Sequence, residues 1–431
     1  MKISAVKGFR DVLPEESARW SWIERTARTL FARYHYDEIR LPVAEKAALF
    51  GRSIGEFSDI VEKEMYTFED RDGTRLALRP EGTASVVRAY VEHSIYVKNP
   101  EAKFYYIGPM FRRERPQKGR YRQFHQIGVE AFGREDPVLD AEVILLVADL
   151  LDELAVERAW FELNSLGCSA CRPRFREAVR KFGERLGERL CENCRRRLGG
   201  NPLRILDCKE EACRAATENA PSLPEFWCEA CREHFSRVRE LVSAEGIAFR
   251  ENPRLVRGLD YYCRTAFEVL AAGLGAQNAI GGGGRYDGLV EALGGPDVPA
   301  VGVALGIERL AMVAGPHPEP GGVEVFVAPV GRPAEKAAQG LAHRLRRAGV
   351  RVEMESGDRS LRSQMRRAHR EGARFTLIVG EEELADGAAT VRDMVAKRDF
   401  RRSVPLGGDA ETVLTALRRL GGGESAKTGG S

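Results

Sequence analysis

The first regular pattern in the chain is a set of apolar positions at three- and four-residue steps. Trp20, Ile23, Ala27, Leu30, Phe31 and Tyr34 recur in this way after Pro14, which predicts an amphipathic helix from Glu15 to Tyr34. A strand is expected next, from Glu38 to Val43. Stretches rich in β-branched and aromatic residues follow at Met65 to Phe68, Arg75 to Arg79, Phe104 to Arg113 and Gln123 to Phe132, punctuated by turn signals such as Asp72-Gly73. Helical patterns at Thr83 to His93 and Asp140 to Leu154 interrupt them. The sum is an α+β fold built on a largely antiparallel sheet flanked by helices.

From about residue 166 to 250 the pattern changes, because all but one of the cysteines and many arginines gather there; the segment reads as an insertion. The sheet pattern resumes at Arg254 and runs to Met312. Gly315-Pro316-His317-Pro318-Glu319-Pro320-Gly321-Gly322 then reads as a linker. Beyond it, apolar strands at Val323 to Pro329, Val350 to Met354 and Phe375 to Val379 alternate with helices at Pro333 to Ala348 and Arg359 to Glu371, which predicts a small parallel α/β domain. The expected division is therefore a first domain over 1–320 containing the 166–250 insertion, a second over 323–420, and a disordered Gly- and Ser-rich tail over 421–431.

A length of 431 residues agrees with more than one core. No run of about 18 apolar residues that would cross a bilayer is present, and the N-terminus lacks the apolar core of a signal peptide, so a cytoplasmic protein is expected. The overall charge of +3, from 67 basic and 64 acidic residues, says little about partners. Local charge says more: ten Lys or Arg stand against four Glu between Arg172 and Arg197, a surface fit either to follow a phosphate backbone or simply to be solvated.

Candidate chemistry is clearest in Gln123 to Phe132. Alternation on a strand turns Ile127, Val129 and Ala131 to one face, as core, and Phe124, Gln126, Gly128 and Glu130 to the other. An amide and a carboxylate then flank a residue without a side chain, which leaves room for a small polar ligand. The preceding strand ends in Phe111-Arg112-Arg113 and leads into the cationic connection Glu114 to Arg122, with Arg120 in it; guanidinium groups at a strand end suit polyphosphate. Arg79-Pro80-Glu81-Gly82-Thr83 puts a carboxylate and a hydroxyl at a helix start, with Thr83 as the expected cap. Leu255 to Tyr262 adds Arg257 and the pair Tyr261-Tyr262; for Arg257 and Tyr262 to serve one site the chain must bend, and Gly258 is the place for it. Ala279 to Gly288 is glycine-rich without being a P-loop, since Gly-Lys-Ser and Gly-Lys-Thr occur nowhere, and Val303 to Leu310 reads as a strand running into a helix that carries Arg309.

Eight cysteines fall within 64 residues as Cys168-x2-Cys171, Cys191-x2-Cys194, Cys208-x4-Cys213 and Cys228-x2-Cys231. Paired spacing lets one turn offer two thiolates to the same metal, and in a cytosolic setting metal is favoured over disulfides. Zinc in two four-cysteine sites is the simplest expectation, with an iron–sulfur cluster or unligated thiols as alternatives; the spacing leaves open which pairs combine.

Taken together and in this order, these segments resemble class II aminoacyl-tRNA synthetases, and within them the histidyl-tRNA synthetase family. The helix from Glu15 and the strand ending at Pro42 look like the first, dimer-forming motif; Arg112 with the loop to Glu130 looks like the second; Gly306 to Arg309 looks like the third. Arg257-Gly258-Leu259-Asp260-Tyr261-Tyr262 and Gly283-Gly284-Arg285-Tyr286-Asp287 resemble the two signatures of the histidine enzymes. The cysteine array departs from the family members considered for comparison.

The resemblance implies a homodimer that uses ATP and Mg2+ to convert L-histidine to histidyl-adenylate and then charges tRNA(His). It implies that Glu81, Thr83 and Gln126 hold the α-ammonium, that Glu130 and Tyr262 bind the imidazole with Tyr261 in the same pocket, and that Arg112 and Arg257 grip the carboxylate and α-phosphate. Phe124 and Arg309 would sandwich adenine, and Arg120 would reach the outer phosphates. In the second domain Arg359, Arg362, Arg366 and Arg370 form one cationic stripe, with Leu361 and Met365 towards the sheet. The stripe alone fits a solvated face; the domain's resemblance to an anticodon-binding domain makes it a tRNA contact. A metal-stiffened insertion is expected to press on the tRNA acceptor arm, so that metal removal weakens aminoacylation more than adenylate formation. A non-catalytic regulatory relative, an RNA-binding module and a synthetase for another amino acid are the competing readings. The first would lack the anticodon-binding domain and parts of the ATP site, the second leaves Glu81, Gln126 and Glu130 unexplained, and the two histidine signatures oppose the third.

Overall fold

Helix Pro14–Arg33 starts behind Pro14, whose fixed φ suits the first helical turn, and buries Trp20, Ile23, Ala27, Leu30 and Phe31 along one face. That face packs on Ile127, Val129 and Ala131 of strand Gln123–Phe132 and on Val143, Ile144, Val147 and Leu150 of helix Pro137–Glu153. Each such side chain contributes roughly 1.5–3 kcal/mol on burial, so the helix and sheet stabilise one another. The computed structural model describes residues 3–55, 58–206, 208, 210–275, 278–317, 322–357 and 359–421. It divides into two compact units, Met1–His317 and Pro318–Ser431. The expected tail and part of the expected linker lie outside the described residues.

In the first unit, eight strands of the described residues form one sheet in the order Asp37–Glu38, Lys103–Phe111, Gln123–Phe132, Ala300–Gly306, Ala279–Arg285, Cys263–Ala271, Ala159–Ser165 and Phe249–Glu251. Pairing is antiparallel throughout except at the two edges, where the outermost strand of each is parallel to its neighbour. A separate three-stranded sheet joins Ala44–Lys46, Arg75–Leu78 and Tyr66–Glu69. Of the expected strand from Glu38 to Val43 only Glu38, together with Asp37 before it, pairs in the large sheet, and the next strand, Ala44–Lys46, starts beyond the expected end and pairs in the small one. Pro42 explains the break, since it lacks the amide hydrogen a ladder needs.

Residues 166–250 are helical rather than sheet-forming, but they are not all an appendage. Helix Glu229–Ala244 lays Phe235, Val238 and Val242 into the main core, and strand Phe249–Glu251 closes the sheet edge. The stretch between Ser165 and Glu229 holds one long helix, Cys171–Leu186, and then helices of three to eight residues.

In the second unit the sheet order is Val352–Met354, Val325–Pro329, Phe375–Val379, Ala388–Asp393 and Arg398–Pro405. The first three are parallel, as expected for strands joined by crossover helices. The last two are antiparallel, so the sheet is mixed rather than parallel. A short helix ending at Gly387, where φ is +64°, turns the chain straight back into the antiparallel pair. Helix Leu361–Arg370 exposes Arg362, Arg366 and Arg370, with Arg359 exposed just before it. Its sheet-facing positions are Leu361, Gln364 and Ala368 rather than Met365, and Gln364 donates to the Pro329 carbonyl at 2.6 Å.

Candidate active site

Three strand ends and one loop build a cavity of about 460 Å³ in the first unit. Strand Gln123–Phe132 turns Phe124 and Gln126 into it, strand Lys103–Phe111 ends just before Arg112, and strand Ala300–Gly306 runs into helix Ile307–Val313 with Arg309 on its first turn. The register Gly306 opposite Gln126 and Gly108 opposite Gln126 sets these three side by side. The fourth wall is the segment from Asn252 to Tyr262. It is not a strand: turns after Glu251 and at Asp260 bring Arg257 and Tyr262 together, with the guanidinium 5.4 Å from the ring centre. The bend expected at Gly258 is thus spread along a loop. Arg257 reaches its place because Gly282 carries no Cβ, which would stand 2.5 Å from a guanidinium nitrogen.

The cavity is electrically two-ended. At one end Glu81, Thr83, Gln126, Tyr261 and Tyr262 converge. Glu81 is buried and its carboxylate accepts from the amides of Thr83 and Ala84 at 2.7 and 2.9 Å, so Glu81 rather than Thr83 satisfies the helix start. The Thr83 hydroxyl is thereby freed to donate to Glu130 at 2.6 Å. Burial raises the Glu81 carboxyl above its usual range against the pull of those amides. Glu130 lies beneath the wall with no exposed surface, and its second oxygen accepts from the Tyr286 hydroxyl at 2.6 Å. Burial pushes its pKa up to about 8, with Glu81 adding to the rise and the two hydroxyls opposing it. The room expected above Gly128 is filled: a Cβ there would lie 2.3 Å from the Tyr106 ring, which packs onto the glycine. Ligand space opens instead beside Gln126, whose Oε1 is buried without a hydrogen-bond partner.

At the other end stand Arg112, Arg120, Arg257 and Arg309. Arg112 donates to the Pro80 carbonyl at 2.8 Å and lies 5.2 Å over the Phe124 ring. Arg120 sits at the tip of a tight turn closed by Gln117 and approaches Glu114 at 3.5 Å. Arg257 pairs with Glu268 at 3.0 Å. Burial, with Arg120 close by, lowers the Arg309 pKa, a crowding of like charge that a polyphosphate would relieve.

Every residue singled out for substrate or nucleotide lines this cavity except Glu130, which meets it through the Thr83 hydroxyl. Arg79 and Arg285 face elsewhere. Arg79 braces the carbonyls of Leu41, Pro42 and Pro109, and Arg285 is ion-paired with buried Asp140 behind the sheet. Tyr106, Tyr286, Glu114 and Glu268 are site-building residues that sequence reasoning missed. Tyr286 stood inside a quoted signature, but its contact with Glu130 spans 156 positions and has no local signal.

The cysteines combine as Cys168, Cys171, Cys228 and Cys231 in one cluster and Cys191, Cys194, Cys208 and Cys213 in another, with each set of four sulfurs within 4.8 Å of one another. Either set can hold a metal ion. Backbone amides of Cys228 and Cys191 donate to Cys171 and Cys213 sulfurs at 3.1 and 2.9 Å.

A largely antiparallel sheet with one arginine following an inner strand and another opening the helix after the next strand but one, both facing a single polar cavity, is the fold of a class II aminoacyl-tRNA synthetase. A family model described as histidyl-tRNA synthetase matches residues 8–170 and 190–310, and one described as anticodon binding domain matches residues 324–407. The chain is 50% identical over 425 residues to a histidine–tRNA ligase of Trichlorobacter lovleyi, covering 99% of this chain and all of that one. It is 50% identical over 392 residues to that of Geobacter sulfurreducens, covering 91% and 95%. Among solved structures, apo histidyl-tRNA synthetase of S. aureus superposes with a TM-score of 0.78 at 36% identity, over 93% of this chain and 97% of that one. The chain belongs to the histidyl-tRNA synthetase family.

Proposed function

We propose that this chain activates L-histidine with ATP and transfers the histidyl group to tRNA(His). The two-ended cavity carries the reading: buried carboxyls and tyrosine hydroxyls at one end suit a small cation with ring N–H groups, and four arginines at the other suit a nucleoside triphosphate. In the first step a histidine carboxylate oxygen attacks the α-phosphorus, the bond to the bridging oxygen breaks, and pyrophosphate leaves. Arg112 and Arg257 hold positive charge where the five-coordinate phosphorus gains negative charge. Glu81, Thr83 and the open Gln126 oxygen receive the α-ammonium. Tyr262, with Tyr261 beside it and Glu130 beneath, receives the imidazole. Phe124 and Arg309 enclose adenine, and Arg120 reaches the outer phosphates. Magnesium would arrive on the phosphates and neutralise their charge, and the Glu114 and Glu268 carboxylates lie on that side of the cavity to share in holding it. In the second step the terminal ribose hydroxyl of tRNA attacks the activated carbonyl and AMP leaves.

The exposed arginine stripe of the second unit supports anticodon contact, and the first helix with its following strand is read as the homodimer contact. Among the described residues no helix is long and apolar enough to cross a membrane, which is compatible with a cytoplasmic enzyme. Zinc is the metal the cysteine clusters fit best: a tetrahedral ion with sulfurs at about 2.3 Å needs them about 3.8 Å apart, the nearest sulfur pairs stand at 3.6, 3.9, 3.9 and 3.9 Å, and all four sulfurs of each cluster lie within 4.8 Å of one another. A multi-iron cluster would need them much further apart. Histidine-dependent exchange of labelled pyrophosphate into ATP tests the enzyme reading. Exchange with histidine is expected; tRNA binding without any such exchange would overturn it.

A further inference from the structure

The loop that carries Arg257, Tyr261 and Tyr262 is held by the catalytic sheet at its middle, where the Leu255 carbonyl accepts from Asn164 at 2.9 Å and Arg257 pairs with Glu268, and by the cysteine-bearing insertion at both its ends. Arg172 follows Cys171 directly, and one of its guanidinium nitrogens donates to the carbonyls of Asp260 and Tyr262, both at 2.9 Å. Asn201 lies between Cys194 and Cys208 and donates to the Asp260 carboxylate at 2.6 Å. At the other end of the loop, Arg254 donates to the Leu206 and Thr217 carbonyls at 3.4 and 3.2 Å and to the Thr217 hydroxyl at 2.9 Å. The same part of the insertion grips the far rim of the site, where Arg197 and Arg204 meet Asp59 at 2.7 and 3.5 Å.

Arg172 stands on a helix of 16 residues, but the elements that carry Arg197, Asn201 and Arg204 are too short to hold themselves. Glu192–Gly199, Pro202–Ile205 and Glu211–Ala216 have eight, four and six residues, well below the length at which a helix is stable alone. Four cysteines tie these three elements to one point, and the other four tie the start of helix Cys171–Leu186 to the start of helix Glu229–Ala244, which is rooted in the main core.

We propose that the two cysteine clusters are metal nodes whose task is to preset the substrate loop 254–262 through the positioning residues Arg172, Asn201 and Arg254. This rests on the reading of the cavity as a histidine site. A metal bound by folded thiolates makes a stiff crosslink out of segments that otherwise sample many arrangements. Misplacement of a substrate-holding group by about 1 Å from a distant change costs up to ~10²-fold. The loop contributes Tyr261 and Tyr262 to the amino-acid end, so metal loss already weakens adenylate formation, in contrast to a role limited to tRNA.

The test uses the full-length protein. Mass-spectrometric metal analysis is expected to find two zinc ions per chain, one for each cluster. Arg172→Ala is expected to keep both ions, to raise the histidine KM in pyrophosphate exchange at least about tenfold, and to leave the ATP KM within about twofold, because Arg172 anchors the Asp260–Tyr262 end of the loop while Glu268 still holds Arg257. Arg172→Lys, which retains a cationic donor, should recover part of the loss. Cys194→Ser should lose one ion, show the same KM split, and raise hydrogen exchange over residues 254–262 while strand Gln123–Phe132 stays protected. The proposal fails if the purified chain holds no metal, if it holds iron in clusters instead, if the histidine KM is unmoved in Arg172→Ala, or if both KM values rise together. Wild-type protein without histidine-dependent exchange would instead defeat the function reading, and exchange protection of residues 254–262 with and without metal would then decide the clamp by itself.

Discussion

The catalytic sheet and the insertion solve the same positioning problem by different physics. The sheet fixes Phe124, Gln126 and Arg309 through antiparallel register, and the register is enforced by an apolar face: Ile127 and Val129 pack against Ile23 and Leu30, and a one-residue slip would turn them to the wrong side. The insertion has a smaller apolar complement, Phe175, Val179, Leu203 and Ile205 among it, and eight sulfurs gathered at two points. One region is held by area removed from water; the other, on the proposal above, is held by metal crosslinks between short elements. A site assembled from both has two separable ways to fail.

The largest expected effect comes from the sheet side. Arg112→Ala removes the guanidinium proposed to meet the reacting phosphate and should cut adenylate formation by about 10²–10³-fold while both proposed metal ions stay bound. Single-turnover adenylate assays with metal analysis check this, and loss of metal in that variant would break the separation between the regions.

Glu130→Gln sharpens it through pH. The Glu130 carboxyl is raised from its unfolded value near 4.5 to about 8, so the folded state holds a proton that the unfolded state has released. Its contribution to stability is complete below the unfolded pKa and is lost as pH rises through about 8, by an amount on the order of a few kcal/mol. Wild-type protein should lose stability between pH 5 and 8 in denaturant titrations, and the glutamine variant should show a flatter profile. Hydrogen exchange in the insertion should not respond to the substitution; if it does, the two regions are one cooperative element.

The smallest effect belongs to the insertion's surface. Arg180 pairs with Glu177 and Glu184 on the exposed side of helix Cys171–Leu186 at 2.9 and 3.2 Å. Exposed pairs are screened and entropically costly, so Arg180→Ala should move the unfolding midpoint by at most about one degree. A large shift would mean that ion pairs, rather than sulfur crosslinks, hold the insertion.

Much was legible in the chain alone where the signal is local. The three-and-four periodicity from Trp20 to Tyr34 and the alternation from Gln123 to Phe132 state their own secondary structure, because one face of each must leave water. The arginines around the loop after Phe111 pointed to a polyphosphate and the cysteine spacing to a metal, and the fold gathers both sets of side chains. The break at Pro42 was visible too, since proline restricts the residues around it, yet the strand was read through it.

What lay beyond reach was decided by contacts between distant segments. Only the folded chain shows that Cys168 and Cys171 combine with Cys228 and Cys231, because spacing reports a turn and not which turns meet. Only it shows that Glu81 rather than Thr83 satisfies the helix start, that Tyr106 fills the space above Gly128, and that Tyr286 holds Glu130 from across the sheet. The sequence by itself determined the elements, the charge at each end of the cavity and the family; tertiary structure decided partners. The reason is range: hydrophobic periodicity is read within a few turns, whereas a buried hydrogen bond or a sulfur cluster depends on sheet register and packing that bring together residues dozens to more than a hundred positions apart.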